Sequence, residues 1–143
     1  MANLHSQHTF DAALLLRPDG AAITATETSA TILDLGAGMQ DAYVIFDVTA
    51  MDVVTGDESY KFMLEFSPDA AFGTAGNIRV VAQLHVGGAT ATAPNGAADT
   101  IGRFTLPFRN ERNGTTYRYA RLYTLIAGTS PSIDFSAWIA KDE

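Results

Sequence analysis

Cysteine is absent from this chain of 143 residues, and charged side chains make up only 17% of it. The lack of cysteine excludes a disulfide framework, a thiolate zinc site and a catalytic thiol. No apolar run approaches the roughly 20 residues that cross a bilayer, and the N-terminus lacks the basic segment of a secretory signal. We therefore expect a protein with no membrane partner, made in the cytoplasm and used or assembled there.

Positive charge is also scarce, because 9 Lys and Arg face 16 Asp and Glu and leave a net charge of −7. An acidic protein is repelled by nucleic acid, so we expect no nucleic-acid partner. Hydrophobic residues make up 47%, an ordinary share that argues against disorder. The length fits one domain that can bury a sizeable core.

Alternating and β-branched residues dominate from residue 21 onward and predict strands. Residues 60–66 alternate apolar and mostly polar side chains, as in a strand with one buried face. Tyr43 and Ile45 are apolar on the second face of the preceding strand, which predicts cover on both faces there. The predicted strands lie within 22–35, 42–54, 60–66, 78–86, 104–108, 116–126 and 133–139. This pattern predicts an all-β fold, a jelly roll or β-sandwich of about eight antiparallel strands.

The segments between the strands predict how the chain is organised. Residues 1–20 are expected to form an N-terminal arm, and residues 21–143 a single β domain; the sequence leaves open whether 11–16 is helix or strand. Residues 87–102 predict a long surface loop of the kind often used for contacts. Asn113-Gly114 predicts a hairpin that joins the strand at 104–108 to the strand at 116–126.

No constellation of residues in the sequence predicts catalysis. His5 and His8 lie three apart without a fixed carboxylate, which is weak as a metal site. A Gly-x-Ser-x-Gly elbow is absent, and no motif places a serine beside His85. Asp52 and Glu58 flank a turn without the spacing of a calcium loop, and the sequence leaves open whether that turn binds a cation. We predict a protein that is not an enzyme, with no catalytic, cofactor-binding or metal-binding residues.

Charge is distributed unevenly along the chain. Residues 1–102 hold 3 basic and 12 acidic side chains, a net −9, whereas residues 103–143 hold 6 basic and 4 acidic, a net +2. Most of the later positive charge comes from five arginines, Arg103, Arg109, Arg112, Arg118 and Arg121. Arginine forks pair well with carboxylates across interfaces. These five are either interface residues of a polarised subunit or partners of the chain's own acids.

The order of several motifs resembles the small cement, or decoration, proteins of tailed-bacteriophage capsids. The motifs are DAALLL at 11–16, ILDLG at 32–36 after a threonine-rich stretch, RFTLPF at 103–108, YARLY at 119–123, GTSP at 128–131 and FSAW at 135–138. The resemblance runs over nearly the whole chain. It implies a jelly-roll subunit on the outer surface of the virion that bridges neighbouring major capsid proteins without a cofactor.

The resemblance also implies partners, and the sequence itself offers candidate contact elements. The partners are the phage major capsid protein and other copies of this chain. A homodimer is the first expectation and a trimer the second. The candidate contact elements are the arm with Phe10 and Leu14, the loop 87–102 and the arginine-bearing hairpin. Assembly would take place in the host cytoplasm.

Two other functions compete with this interpretation. A carbohydrate-binding jelly-roll module of a viral fibre or head appendage would be favoured by exposed Trp138 and tyrosines along a groove. An enzyme of the cupin type comes third, because the chain has no histidine-rich strand.

Overall fold

The structure, a computed structural model, describes residues 10–87 and 101–141 and shows an antiparallel all-β fold. Its strands are β1 (Leu15–Arg17), β2 (Glu27–Thr28), β3 (Leu33–Asp34), β4 (Asp41–Met51), β5 (Ser59–Ser67), β6 (Arg79–Gly87), β7 (Gly102–Arg109), β8 (Glu111–Arg112), β9 (Thr115–Thr116), β10 (Tyr119–Ala127) and β11 (Ile133–Ala140). Single 3-10 turns cover Ala12–Leu14 and Ala75–Asn77. In the described ranges, no helix is both long and apolar enough to cross a membrane.

Two sheets pack face to face as a β-sandwich. The first, called the β4 sheet, has the strand order β1-β11-β4-β7. The second, called the β5 sheet, has the order β2-β10-β5-β6, and β3 also pairs with β10. Strands β8 and β9 form a small separate ribbon. The prediction of an antiparallel all-β sandwich is confirmed.

The core lies between the two sheets and follows from the period-two pattern of the strands. The even-numbered residues of β5 from Tyr60 to Phe66 are fully buried, whereas the residues between them are partly exposed. Phe62 sits at the centre, with its ring centroid 4.8 Å from that of Phe46 and 4.4 Å from that of Phe135. These aromatic contacts join the sheets, because Phe46 and Phe135 belong to the β4 sheet.

A second apolar cluster lies on the outer face of the β4 sheet. Ile45 is fully buried there, and Trp138 is only 5% exposed. Tyr43 packs against this cluster, and the ring of Phe10 meets the Trp138 ring edge to face at 5.5 Å. The prediction that β4 is covered on both faces is therefore confirmed at Ile45.

Part of the predicted arm is built into the sandwich. Residues 15–17 form β1, which pairs with β11 at the edge of the β4 sheet. Leu16 is fully buried in the main core. The guanidinium of the buried Arg17 donates to the carbonyls of Phe135 and Ala21. The open question about residues 11–16 is answered by a short 3-10 turn followed by strand, while residues 1–9 lie outside the described part of the chain.

The predicted hairpin is present only at its tip. Asn113 and Gly114 have φ of 52° and 77°, which closes a two-residue turn between β8 and β9. Beyond this ribbon the chain separates, because β7 pairs with β4 and β10 pairs with β5 in the other sheet. The prediction that the 104–108 and 116–126 strands pair with each other was therefore wrong. Most of the predicted 87–102 loop, residues 88–100, lies outside the described residues.

Candidate functional site

The five candidate arginines are distributed over both sheets. Arg103 and Arg109 point outward from β7 in the β4 sheet, where they alternate with core-facing residues. Arg121 points outward from β10 in the β5 sheet, and Arg118 directly precedes that strand. Arg112 lies on the ribbon between them. The structure therefore does not gather the five side chains into one basic patch.

Two of the arginines form bidentate ion pairs with acids from earlier strands. The Nε and Nη2 atoms of Arg109 donate to the Asp41 carboxylate at 2.7 and 2.9 Å, and those of Arg118 donate to Asp34 at 2.7 Å each. The bond from Arg118, helped by the Gly36 N–H, lowers the pKa of Asp34 to about 2. The bond from Arg109 likewise lowers the pKa of Asp41. Such half-exposed pairs add little stability, but they occupy both guanidinium forks.

Two further arginines combine an ion pair with an aromatic contact. Arg103 donates to Asp47 at 2.9 Å and lies 5.2 Å from the Trp138 ring centroid. Arg121 donates to Glu65 at 2.8 Å, and the Phe72 ring lies 4.3 Å from its guanidinium. The side chains of Arg121 and Glu65 are only 20% and 14% exposed. Four of the five arginines thus pair with acids of the same chain, as the alternative interpretation of the sequence expected.

Arg112 differs from the other four. It is exposed on β8, and among the described residues it has no ion-pair partner. Its strand is part of a compact ribbon in which Glu111 lies opposite Thr116 and Arg112 lies opposite Thr115. The Glu111 carboxylate accepts a hydrogen bond from the Gly114 N–H. The ribbon therefore holds the exposed Arg112 next to a turn of defined geometry.

Asn110 anchors the base of this ribbon, and the sequence analysis did not identify it. The Asn110 side chain is fully buried and donates through Nδ2 to the carbonyls of Gly38 and Tyr117, at 3.1 and 2.8 Å. Its Oδ1 accepts from the Gln40 N–H at 2.6 Å. One amide thereby ties the ribbon to the 38–40 loop, whose middle residue Met39 is 56% exposed. Nothing in the local sequence distinguishes Asn110 from an ordinary turn residue, because two of its three side-chain partners, Gly38 and Gln40, lie about 70 residues earlier.

The two candidate contact residues of the arm have different surroundings. Phe10 is 56% exposed and covers the outer cluster at Trp138. Leu14 is partly buried and packs against the main core. It also lines an open pocket of about 150 Å³ beside Leu35 and Ile139. Phe10 thus has apolar surface available to a partner, and Leu14 has less.

The acidic turn is stabilised by its own backbone. Glu58 is fully buried, and its carboxylate accepts from the N–H groups of Thr55 at 3.2 Å and Gly56 at 2.9 Å. Burial acts to raise the pKa of Glu58, but these hydrogen bonds outweigh it and the pKa is lowered. Asp52 accepts from the Val54 N–H at 3.0 Å. These bonds give the carboxylates of the turn hydrogen-bond donors, so a bound cation is not needed to explain why acids occur there.

The described residues bring together few groups suited to chemistry. Within 10–87 and 101–141, no three His, Asp or Glu side chains converge as metal ligands. His85 lies opposite Lys61 on the outer face of the β5 sheet, and both of its ring nitrogens are buried without a hydrogen-bond partner among the described residues. Burial together with Lys61 lowers its pKa. His5 and His8 lie outside the described residues.

Comparison of the chain with protein-family models, with curated proteins and with solved structures found no match. A functional assignment therefore has to start from the order of motifs in the sequence and from the geometry of the described residues.

Proposed function

We propose that this chain is a structural virion protein, a cement or decoration protein of tailed-bacteriophage capsids with a jelly-roll type of sandwich. It binds the outer surface of the capsid and stabilises the contacts between major capsid proteins. Its partners are the major capsid protein and further copies of itself; we expect a homodimer in the first place and a trimer in the second. It is assembled in the host cytoplasm, needs no cofactor and catalyses no reaction.

The observation that carries this proposal is the placement of the resembling motifs in one sandwich. Residues 11–16 run into β1, 103–108 lie in β7 and 135–138 lie in β11, all in the β4 sheet. Residues 32–36 include β3, and 119–123 lie in β10, which are neighbours in the β5 sheet. Motifs that are far apart in the sequence therefore lie in the two sheets of one sandwich. We expect this arrangement if the chain shares its fold with the cement proteins that have the same order of motifs.

The mechanism of a cement protein is mass action. A subunit that binds only the assembled shell shifts the equilibrium toward that shell, by an amount set by its concentration relative to its Kd. A dimer that contacts two capsid proteins gains avidity, because the second contact forms at a high effective concentration. Rigid, exposed contact elements suit this role, since they lose little entropy on binding.

The carbohydrate-binding alternative depends on exposed aromatic rings. Trp138 is only 5% exposed and is covered by Phe10, and Tyr60 and Tyr117 are buried. These rings cannot offer stacking faces to a sugar in this arrangement. The burial of Trp138 therefore removes one of the two features that would have favoured a glycan-binding module, while Tyr119 and Tyr123 on β10 are partly exposed.

Co-sedimentation tests the proposal directly. Empty shells assembled from the major capsid protein encoded in the same genome are incubated with increasing amounts of this chain and then pelleted. We expect saturable binding at a fixed ratio of subunits and no binding to the unassembled capsid protein. A chain that stays in the supernatant at every concentration would refute the proposal. Light scattering gives the oligomeric state in parallel, with a mass of twice 15.2 kDa expected for the homodimer.

A further inference from the structure

The turn of the ribbon formed by β8 and β9 carries a dipeptide that can react with itself. Asn113 is followed directly by Gly114, and both residues are exposed. A Cβ atom on Gly114 would meet nothing within 4 Å, so the space around this residue is open. Because glycine has no side chain of its own, its backbone nitrogen is sterically accessible to the Asn113 carboxamide.

The conformation of the closed turn keeps these two groups apart. Asn113 has φ of 52° and Gly114 has φ of 77°, as in a two-residue hairpin turn. The left-handed region has ψ of about +30 to +60°, which places the nitrogen of the next residue almost opposite the Cβ atom across the Cα–C bond. The Asn113 Cγ atom therefore reaches the Gly114 nitrogen only after rotation about that bond.

Glu111 restrains the same rotation. Its carboxylate accepts a hydrogen bond from the Gly114 N–H, and rotation of the peptide between Asn113 and Gly114 breaks this bond. The Gly114 nitrogen must also lose its proton before it can attack. The negative charge of Glu111 disfavours that loss, because two like charges would then face each other.

The ribbon is held by few bonds, so it can open while the sandwich stays folded. Its strands pair only through Glu111 with Thr116 and Arg112 with Thr115, and they belong to neither of the two large sheets. Residues 112–116 are all exposed. Short segments with few buried contacts open locally at a low free energy.

We propose that Asn113 is a site of spontaneous deamidation, which the closed turn and Glu111 restrain and which opening of the ribbon permits. The Gly114 nitrogen gives up its proton and bonds to Asn113 Cγ, the Cγ–Nδ2 bond breaks, and ammonia leaves with that proton. Water then opens the resulting succinimide at either carbonyl and leaves aspartate or isoaspartate. Isoaspartate adds a methylene group to the main chain of the turn, so the modified ribbon cannot close with the same geometry. This inference does not depend on the proposed function.

Peptide mapping of the full chain measures the reaction. It detects the mass increase when OH replaces NH2 at Asn113, and it separates aspartate from isoaspartate. The protein is incubated at mildly alkaline pH in native buffer and, in parallel, in guanidinium chloride. We expect Asn113 of the wild type to react about tenfold or more slowly in native buffer than in guanidinium chloride, because unfolding removes both the turn and the Glu111 bond.

Glu111→Ala separates the hydrogen bond from the fold as a whole. In native buffer this variant should deamidate at Asn113 about threefold or more faster than the wild type, as expected for the loss of one exposed hydrogen bond. In guanidinium chloride the two rates should agree. Asp19→Ala is the matched control, since it removes a negative charge at an exposed position outside the ribbon, and it should react like the wild type. Thermal unfolding checks that the sandwich is intact in both variants.

Either of two results would overturn the proposal. The first is deamidation of wild-type Asn113 that is as fast in native buffer as in guanidinium chloride, which would mean that the ribbon does not control it. The second is an equal native rate in Glu111→Ala and the wild type, whether that rate is measurable or not. Faster native deamidation in Glu111→Ala alone supports the proposal.

Discussion

Gly128, directly after β10, shows how closely two turns of the sandwich pack. It has φ of +117°, and a Cβ atom there would lie 2.5 Å from the Glu58 Cα. Its neighbour Thr129 donates through N–H and Oγ1 to the Asp57 carboxylate, at 3.0 and 2.9 Å. The turn before β11 therefore rests on the turn before β5, and only a residue without a side chain fits at the contact.

Replacing Gly128 with alanine should destabilise the fold strongly. We expect Gly128→Ala to lower the free energy of unfolding by about 3 kcal/mol or more, because backbone strain and a backbone clash act together. Gly56→Ala is the matched control, since Gly56 has φ of +79° but a Cβ atom there would meet nothing within 4 Å; its cost should be about 1 kcal/mol. Urea unfolding measures both. If Gly128→Ala lowers the free energy of unfolding no more than Gly56→Ala does, the turn moves and relieves the clash.

The pair between Asp34 and Arg118 should make stability depend on acid pH. The pKa of Asp34 is lowered from 3.8 to about 2 in the folded chain, so the folded state binds this proton more weakly than the unfolded state. The resulting stabilisation is fully present above pH 3.8 and is lost as the pH falls toward 2.

Asp34→Asn removes this titration. Melting temperatures recorded between pH about 4 and about 2 should therefore fall less steeply in Asp34→Asn than in the wild type. Asp19→Asn serves as the control, since Asp19 is exposed and has no ion pair among the described residues. Parallel curves for Asp34→Asn and the wild type would contradict the assigned role of this pair.

At the scale of single elements, the sequence predicts those strands whose pattern is fixed by burial. The alternation in β5 is visible because one of its faces meets the core, and the apolar second face of β4 is visible because Ile45 contacts Trp138. Residues 11–16 carry no such period. Their last two residues become strand only because β11 offers an edge to pair with, and a local pattern does not reveal that partner.

The predicted hairpin failed for a similar reason. Asn113-Gly114 encodes a tight turn, and the ribbon forms there as expected. Which sheet each long strand joins depends on pairing with β4 and β5, more than 50 residues away in sequence. The same distance hides the partners of the arginines, since the sequence shows five Arg but not the acids 56 to 84 residues earlier that bind four of them.

Strand β1 should behave as part of the sandwich rather than as an arm. We expect Leu16→Ala to lower the free energy of unfolding by about 2 to 5 kcal/mol, because its side chain is fully buried in the core. Phe10→Ala, at a position 56% exposed, should cost less than about 1 kcal/mol. Chemical denaturation distinguishes the two. Similar small effects for both would mean that β1 detaches without loss of the fold.

At the scale of the whole molecule, ion pairing changes the meaning of the uneven charge in the sequence. The later residues carry a net +2 and the earlier ones a net −9, but the later arginines pair with earlier acids on the outer faces of both sheets. The positive charge of four of the five later arginines is therefore paired within the fold, whereas the net charge of −7 remains, because the acids outnumber these pairs. Of the five candidate arginines, Arg112 is left without an acid partner among the described residues, and apolar side chains such as Phe10 and Met39 remain exposed.

Differential scanning calorimetry of empty shells, with and without this chain, tests the cement function most directly. Binding to the assembled shell alone must raise its melting temperature, in proportion to occupancy and up to saturation. We expect that rise with the wild type. A shell melting temperature that does not change at saturating wild-type protein would contradict the account.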